Sequence, residues 1–334
     1  MGLMTSRTLR LLAGSFLASA SLFGVEADKP SKTSIWVLAA RAIGAREPDP
    51  TVRNPDWLAE RFLGPEERAL IAANPVVTGL DKDYRLAMQE PETRARVLMV
   101  NIRTLYIDKR MREFAASGGQ QVVILGAGFD SRAYRFRQEL KNVKVFEVDF
   151  GPTQEYKKQR ALKVMGPAPA NLTYVPIDFT KQKASAGLKR AGYRADRKTF
   201  FIWEGVSMYL TEQQVRDFLS DIAGNTNTES EIVLDHFNPF FDPPANEANA
   251  RLVAMLKEWG EPWIFGIPFG QEEAFFRATG LRLVDRVSML VTSEDARKFI
   301  VRQDGSSVGD VQFPPAGTQQ RTVHWLVVAK LAGK

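Results

Sequence analysis

Four short clusters hold the residues whose chemistry could serve a nucleoside-bearing ligand: Gly126-Ala127-Gly128, Asp149, Asp178-Phe179 and Glu204. The glycines follow the apolar run "QVVIL", and their missing Cβ atoms let the backbone turn sharply and approach a ligand closely. About twenty residues later, Glu147-x-Asp149 offers a carboxylate able to accept from both hydroxyls of a ribose. Asp178-Phe179 and Glu204-Gly205 place two further acids at the ends of apolar runs. A dinucleotide fingerprint asks for Gly-x-Gly-x-x-Gly, and its last position here is Ser131. An S-adenosylmethionine site has no pyrophosphate to cradle. It needs close backbone approach, a ribose carboxylate, an acceptor for the adenine amino group and a partner for the methionine ammonium. Asp149, Asp178 and Glu204 match the last three. A nicotinamide-dependent oxidoreductase, or a ligand-binding fold without turnover, stands as the alternative from another class. Ser131 counts against the first and the retained acids against the second.

These residues need a sheet to position them. Runs rich in β-branched and aromatic residues predict strands at "QVVIL", 143–149, 172–178, 199–205 and 231–237, with "LRLVDRVSML" and "TVHWLVVAKL" as a closing antiparallel pair. Between them, "PTQEYKKQRALKVM" and "TEQQVRDFLSDIA" open on Pro or Thr with early acids, as helices do. The alternation predicts an α/β fold, a mostly parallel seven-stranded sheet with helices on both faces. Ahead of it, "SIWVLAARAIGAR", "PDWLAERFL", "PEERALIAA" and "ETRARVLMVNIRTLYIDKRMREFAAS" read as helices, the last closed by Gly118-Gly119. The expected division is a helical part at 34–118, a ligand-binding core at 120–237, an aromatic and Pro-rich lid insertion at 238–280 and closing strands at 281–331. All of these belong to one domain spanning 28–334. In such a sheet the ligand lies beyond the carboxyl ends of the strands, where all four clusters fall.

Composition narrows the chemistry further. The chain has 334 residues, 44% of them hydrophobic and 25% charged, which suits a globular protein with a substantial core. Its net charge of +6 is spread over scattered Lys and Arg residues that read as a solvated surface, so no nucleic-acid partner is expected. With no cysteine, disulfides, thiolate metal sites and a Cys nucleophile are excluded, and two histidines rule out a multi-His metal centre. No Gly-x-Ser-x-Gly elbow occurs. Residues 1–27 join Arg7 and Arg10 to a short apolar run, which reads as a signal peptide or an extra N-terminal helix but is too short for a confident membrane span. The expectation is a cytoplasmic protein without stable membrane insertion, with export as the alternative; oligomeric state is not legible.

The segments "VVILGAGFDSRAYRF", "VFEVDFGPTQEYKKQR", "VPIDF" and "FIWEGVSMYLTEQQV" resemble the S-adenosylmethionine-dependent methyltransferases of the leucine carboxyl methyltransferase superfamily, and within it the bacterial small-molecule O-methyltransferase branch. The resemblance covers roughly residues 34–330. It implies a class I, Rossmann-like methyltransferase fold with S-adenosyl-L-methionine as cofactor. It also implies Arg103 on the methionine carboxylate, Gly126 against the methionine moiety, Asp149 on the ribose, Asp178-Phe179 at the adenine and Glu204 near the amino group. Leu105 and Asp108-Lys109 depart from the branch's second Arg and paired acids. The implied activity is O-methylation of a small-molecule hydroxyl or carboxylate, with protein C-terminal carboxyl methylation as the alternative. A hydroxyl acceptor benefits from a general base, for which Tyr209 and His236 are candidates by position, although each also reads as a packed residue with a satisfied polar tip. Asp235 cannot orient His236, because neighbours on a strand point to opposite faces. Arg132 and Arg135 read as solvated or helix-capping. Trp259, Trp263, Phe265 and Phe269 read as pocket lining or core, and Phe146 and Trp203 as core.

Overall fold

The computed structural model describes residues 31–332 except 74–76, 180, 241–243, 245–246, 316 and 319; the expectation for residues 1–27 lies outside the described residues. The predicted strands form: β1 Gln121–Leu125, β2 Lys144–Asp149, β3 Leu172–Pro176, β4 Thr199–Trp203, β5 Glu231–Phe237, β6 Leu281–Ser288 and β7 His324–Leu331. They join in one sheet of order β3-β2-β1-β4-β5-β7-β6. The pairs from β3 to β5 are parallel, and β7 runs antiparallel to both β5 and β6. This is the mixed seven-stranded α/β architecture of class I methyltransferases.

Alternation along the strands builds two cores, one on each face. Val122, Ile124, Val145, Phe200, Ile202, Val233, Leu326 and Val328 point to one side. They meet α1 (Lys32–Gly44), α5 (Pro91–Ala116) and α12 (Glu294–Ile300) there, with α2 (Ala59–Phe62), α3 (Pro65–Ala73), α4 (Tyr84–Gln89) and α7 (Gly151–Met165) packed around them. Val123, Leu125, Phe146, Phe201, Trp203, Leu234 and Val327 point to the other side and meet α8 (Ala184–Arg190), α9 (Glu212–Gly224) and α11 (Glu272–Ala278). Phe146 and Trp203 are core residues, as their strand positions require.

The helix after the glycine turn, α6 (Arg132–Arg135), is a single turn whose two arginines pair with Asp108 on α5. The segment 238–280 is not uniformly a cover. It contains α10 (Glu247–Glu258), but Phe265, Phe275 and Phe276 pack into the core beneath the sheet, and Phe269 is exposed. No helix among the described residues is long and apolar enough to cross a membrane.

Candidate functional site

β1 and β4 are adjacent in the sheet while their connections run to opposite sides, so a crevice opens beyond their carboxyl ends. A cavity of about 320 Å³ occupies it, lined among others by Arg103, Gly126, Ala127, Gly128, Asp149, Asp178, Phe179, Glu204 and Tyr209. Nine positions singled out from sequence therefore converge on one space, although they are spread over more than a hundred residues of chain. His236 is not among them.

Gly126 turns with φ +63°, and a Cβ built there would meet Val206 Cγ2 at 2.6 Å, so the close approach demands glycine. The turn is pinned to β2: Ala127 N–H donates to Val148 O at 3.1 Å, and Gly128 N–H donates to Asp149 Oδ2 at 2.6 Å. Asp149 Oδ1 accepts from Phe150 N–H at 2.7 Å. Each oxygen keeps a second lone pair, so the carboxylate is oriented by backbone and still able to accept from ligand hydroxyls. Burial pushes its carboxyl above the usual range, against the pull of those two amides. At the far end, Asp178 Oδ2 lies 2.8 Å from Lys181 Nζ, and Phe179 packs edge-on against Phe218.

Beneath the crevice sits a buried ionic cluster that sequence reasoning missed. Glu204 Oε1 accepts from Arg41 Nη2 at 2.6 Å and lies 2.8 Å from Arg103 Nε, while Oε2 accepts from Arg132 Nη1 at 2.8 Å. Burial alone would push the Glu204 carboxyl up; the guanidinium groups of Arg41, Arg132 and Arg103 hold it well below the usual range. Arg132 also pairs with Asp130, and with Asp108 at 2.7 Å. Arg135 pairs with Asp108 at 2.7 Å. Arg132 is thus buried and the Arg135 side chain is covered, not solvated, because the acids of α5 and of the glycine loop pair with them. Asp108 was visible in the sequence only as one half of an incomplete acid pair, and no local spacing ties it to Arg132 and Arg135. Arg103 itself bridges Glu204 and, through Nη1, Asp235 Oδ2 at 3.0 Å.

The other end of the cavity is formed by elements remote in sequence. Glu261 closes it by capping α1: its carboxylate accepts from Lys32 N at 2.7 Å, Thr33 N at 3.1 Å, Ser31 Oγ at 2.8 Å and Thr33 Oγ1 at 2.5 Å. An anion at a helix N-terminus satisfies otherwise unpaired N–H groups. Tyr209 Oη lies 2.8 Å from Thr33 Oγ1, and burial beside Glu261 pushes its phenol up to about 12, which makes it a poor base. Of the four lid aromatics only Trp263 lines the cavity, stacked on Phe237 with ring centroids 4.5 Å apart.

His236 requires a correction. It is fully buried on the opposite side of β5, where Nδ1 lies 3.3 Å from Phe237 O and the ring packs near Phe276. Burial lowers it to about 4. Strand alternation sends Asp235 to the cavity side instead, and there it meets a different histidine, His324, whose Nε2 is 3.2 Å from Asp235 Oδ2. The antiparallel register sets Phe237 opposite His324, so the first residue of β7 lies at the carboxyl end of β5, and His324 lines the cavity.

The residues present fit S-adenosyl-L-methionine: a glycine turn at the cavity whose Gly126 has no room for a Cβ, a backbone-oriented acid about twenty residues later, and an ionised buried carboxylate beside Arg103. The family model for leucine carboxyl methyltransferase matches residues 34–223. YktD of Bacillus subtilis (strain 168), which carries the provisional name of an S-adenosyl-L-methionine-dependent methyltransferase, is 27% identical over 273 residues, covering 78% of this chain and 89% of YktD. A protein of Mycobacterium ulcerans (strain Agy99) with the same provisional name is 31% identical over 235 residues, covering 69% of this chain and 74% of its own. Among solved structures, a DUF574 family protein from Streptomyces avermitilis superposes with a TM-score of 0.52 at 15% identity, over 77% of this chain and 95% of that one, which supports the fold.

Proposed function

The chain belongs to the leucine carboxyl methyltransferase family and is an S-adenosyl-L-methionine-dependent methyltransferase; from that premise we infer that it methylates an oxygen atom of a small-molecule acceptor. The observation that carries this reading is the shape of the cavity. It runs without interruption from Gly126 and Asp149 to an aromatic end at Tyr209, Phe237 and Trp263, which the Glu261 contacts to α1 close over. A cavity end walled by Tyr209, Phe237 and Trp263 suits a compact acceptor better than the surface of a folded protein.

When bound, S-adenosyl-L-methionine supplies an electrophilic methyl group on a sulfonium. The protein's own contribution is placement. Gly126 and Gly128 offer backbone without side-chain bulk, Asp149 offers its carboxylate to ribose hydroxyls, Asp178 and Phe179 flank the adenine, and Glu204 and Arg103 meet the amino-acid end. Asp149 ends β2 and Glu204 follows β4, on either side of β1, and they are fixed by amides and guanidinium groups, so they are ordered before any ligand arrives. Holding two reactants in line can supply roughly 7–11 kcal/mol of a barrier.

The test is transfer of a labelled methyl group from S-adenosyl-L-methionine to a panel of phenols, alcohols and carboxylic acids. Label recovered as a methyl ether, stable to alkali, or as a methyl ester, released by alkali as methanol, supports oxygen transfer. Label only on nitrogen or carbon, or only on protein, would refute it.

A further inference from the structure

Among the described residues, each guanidinium that lines the cavity is already shared. Arg41 lies between Glu204 and Asp56, and Arg103 between Glu204 and Asp235. At the aromatic end the charge facing inward is Glu261, itself held by the N-terminus of α1. An acceptor carboxylate at this end would thus face Glu261 and Asp235, with Arg103 already shared between two acids and given above to the methionine carboxylate, and burying an unpaired charge is strongly unfavourable. A neutral acceptor meets no such penalty. It finds an aromatic stack in which Phe237 packs against Trp263 at 4.5 Å and against His324 at 3.9 Å with ring planes 17° apart.

A neutral hydroxyl has a proton to lose, and His324 is built to take it. Asp235 is ionised: burial would raise its carboxyl, but Arg103 and His324 hold it below the usual range, and Gly205 N–H donates to its Oδ1 at 2.6 Å. Facing a carboxylate, His324 Nε2 carries the hydrogen, which leaves the lone pair on Nδ1. That Nδ1 is buried and has no hydrogen-bond partner among the described residues. The charged groups around the ring are Asp235 from β5 and Arg103 from α5; with burial lowering its basicity first, His324 is neutral near neutral pH. A neutral imidazole with a fixed tautomer, a carboxylate behind it and an unpartnered nitrogen is the arrangement of a general base.

We propose that the acceptor is a neutral, planar hydroxyl compound stacked in the aromatic end of the cavity, and that His324, oriented by Asp235, accepts its proton. The inference rests on the oxygen-methylation reading above. As the acceptor oxygen forms its bond to the methyl carbon, the carbon–sulfur bond breaks with its electron pair going to sulfur, and the hydroxyl proton passes to Nδ1. The products are a methyl ether, S-adenosylhomocysteine and an imidazolium that returns its proton to solvent.

The matched probes are 2-naphthol and 2-naphthoate, one neutral and one anionic near neutral pH, titrated into the full-length protein saturated with S-adenosylhomocysteine. Tighter binding of 2-naphthol, by tenfold or more, is expected; equal or tighter binding of 2-naphthoate, or binding of neither, overturns the acceptor class. With 2-naphthol as substrate, His324→Ala should lower kcat by about 10²–10⁴-fold with little change in KM, and added imidazole should restore part of it. An unchanged kcat, or no rescue by imidazole in a variant that still binds S-adenosylhomocysteine normally, overturns the assignment of His324. If the wild-type protein fails to bind S-adenosylhomocysteine at all, the underlying reading falls and not merely this extension of it.

Discussion

Gly126→Ala should be far more damaging than contact with the one side chain of Val206 suggests, and the structure says by how much. The residue turns at φ +63°, where a Cβ costs about 1–2 kcal/mol through its own backbone. The added methyl would also lie 2.6 Å from Val206 Cγ2, in a buried region where overpacking costs about 1–3 kcal/mol. The sum is a loss of about 2–5 kcal/mol. Gly128→Ala is the control: φ is +41°, but the nearest atom to its Cβ is Gly126 O at 3.9 Å, so only the backbone part applies, about 1–2 kcal/mol. Val206→Ala should then rescue Gly126→Ala selectively, with a coupling of about 1–3 kcal/mol in a double-mutant cycle. Urea unfolding followed by tryptophan fluorescence measures the wild type, the three single variants and the double variant. Equal effects of the two glycine substitutions, or strict additivity with Val206→Ala, would refute the claim that contact with Val206 forces glycine into this turn.

Glu204→Gln leaves Arg41, Arg103 and Arg132 buried around a neutral amide, and should destabilise the protein by about 3–5 kcal/mol as well as weaken S-adenosylhomocysteine binding; a variant of wild-type stability in urea would show that the cluster does not depend on this carboxylate. His236 gives a pH signature. Its basicity is depressed from 6.5 to about 4 in the folded chain, so the unfolded chain takes up the proton first as pH falls below 6.5. Stability present above pH 6.5 is therefore lost progressively toward pH 4, by up to about 3 kcal/mol at 1.36 kcal/mol per unit. His236→Phe should flatten that limb of a urea stability profile; an unchanged slope would contradict burial of a neutral imidazole there.

What could be read from the sequence was whatever a strand end carries with it. Gly126, Asp149, Asp178 and Glu204 each follow an apolar run, so placing the strands places them at one edge of the sheet. Trp203 and Phe146 declared themselves by lying mid-strand. What could not be read depends on pairing across long stretches of chain. His324 reaches Asp235 across 89 positions because β7 is antiparallel to β5, and no local pattern distinguishes it from His236, the histidine nearer in sequence. Glu261 caps a helix 228 positions away. Arg132 and Arg135 follow a glycine loop, where charged side chains ordinarily face water; only the fold brings Asp108 of α5 against both of them. Periodicity reports which residues an element buries, and it is silent on which charges meet inside.

The measurement that bears most directly on the account is calorimetric titration of S-adenosylhomocysteine, with NADH as the comparison ligand, into the wild-type protein and Asp149→Ala. Asp149 is held by two backbone amides and has lone pairs left for a ribose, and a hydrogen bond to a charged group is worth about 1.5–3 kcal/mol. The account predicts micromolar binding of S-adenosylhomocysteine alone, weakened roughly 10–150-fold by the substitution. Binding of NADH in its place, or an Asp149→Ala protein that binds S-adenosylhomocysteine as tightly as wild type, would contradict it.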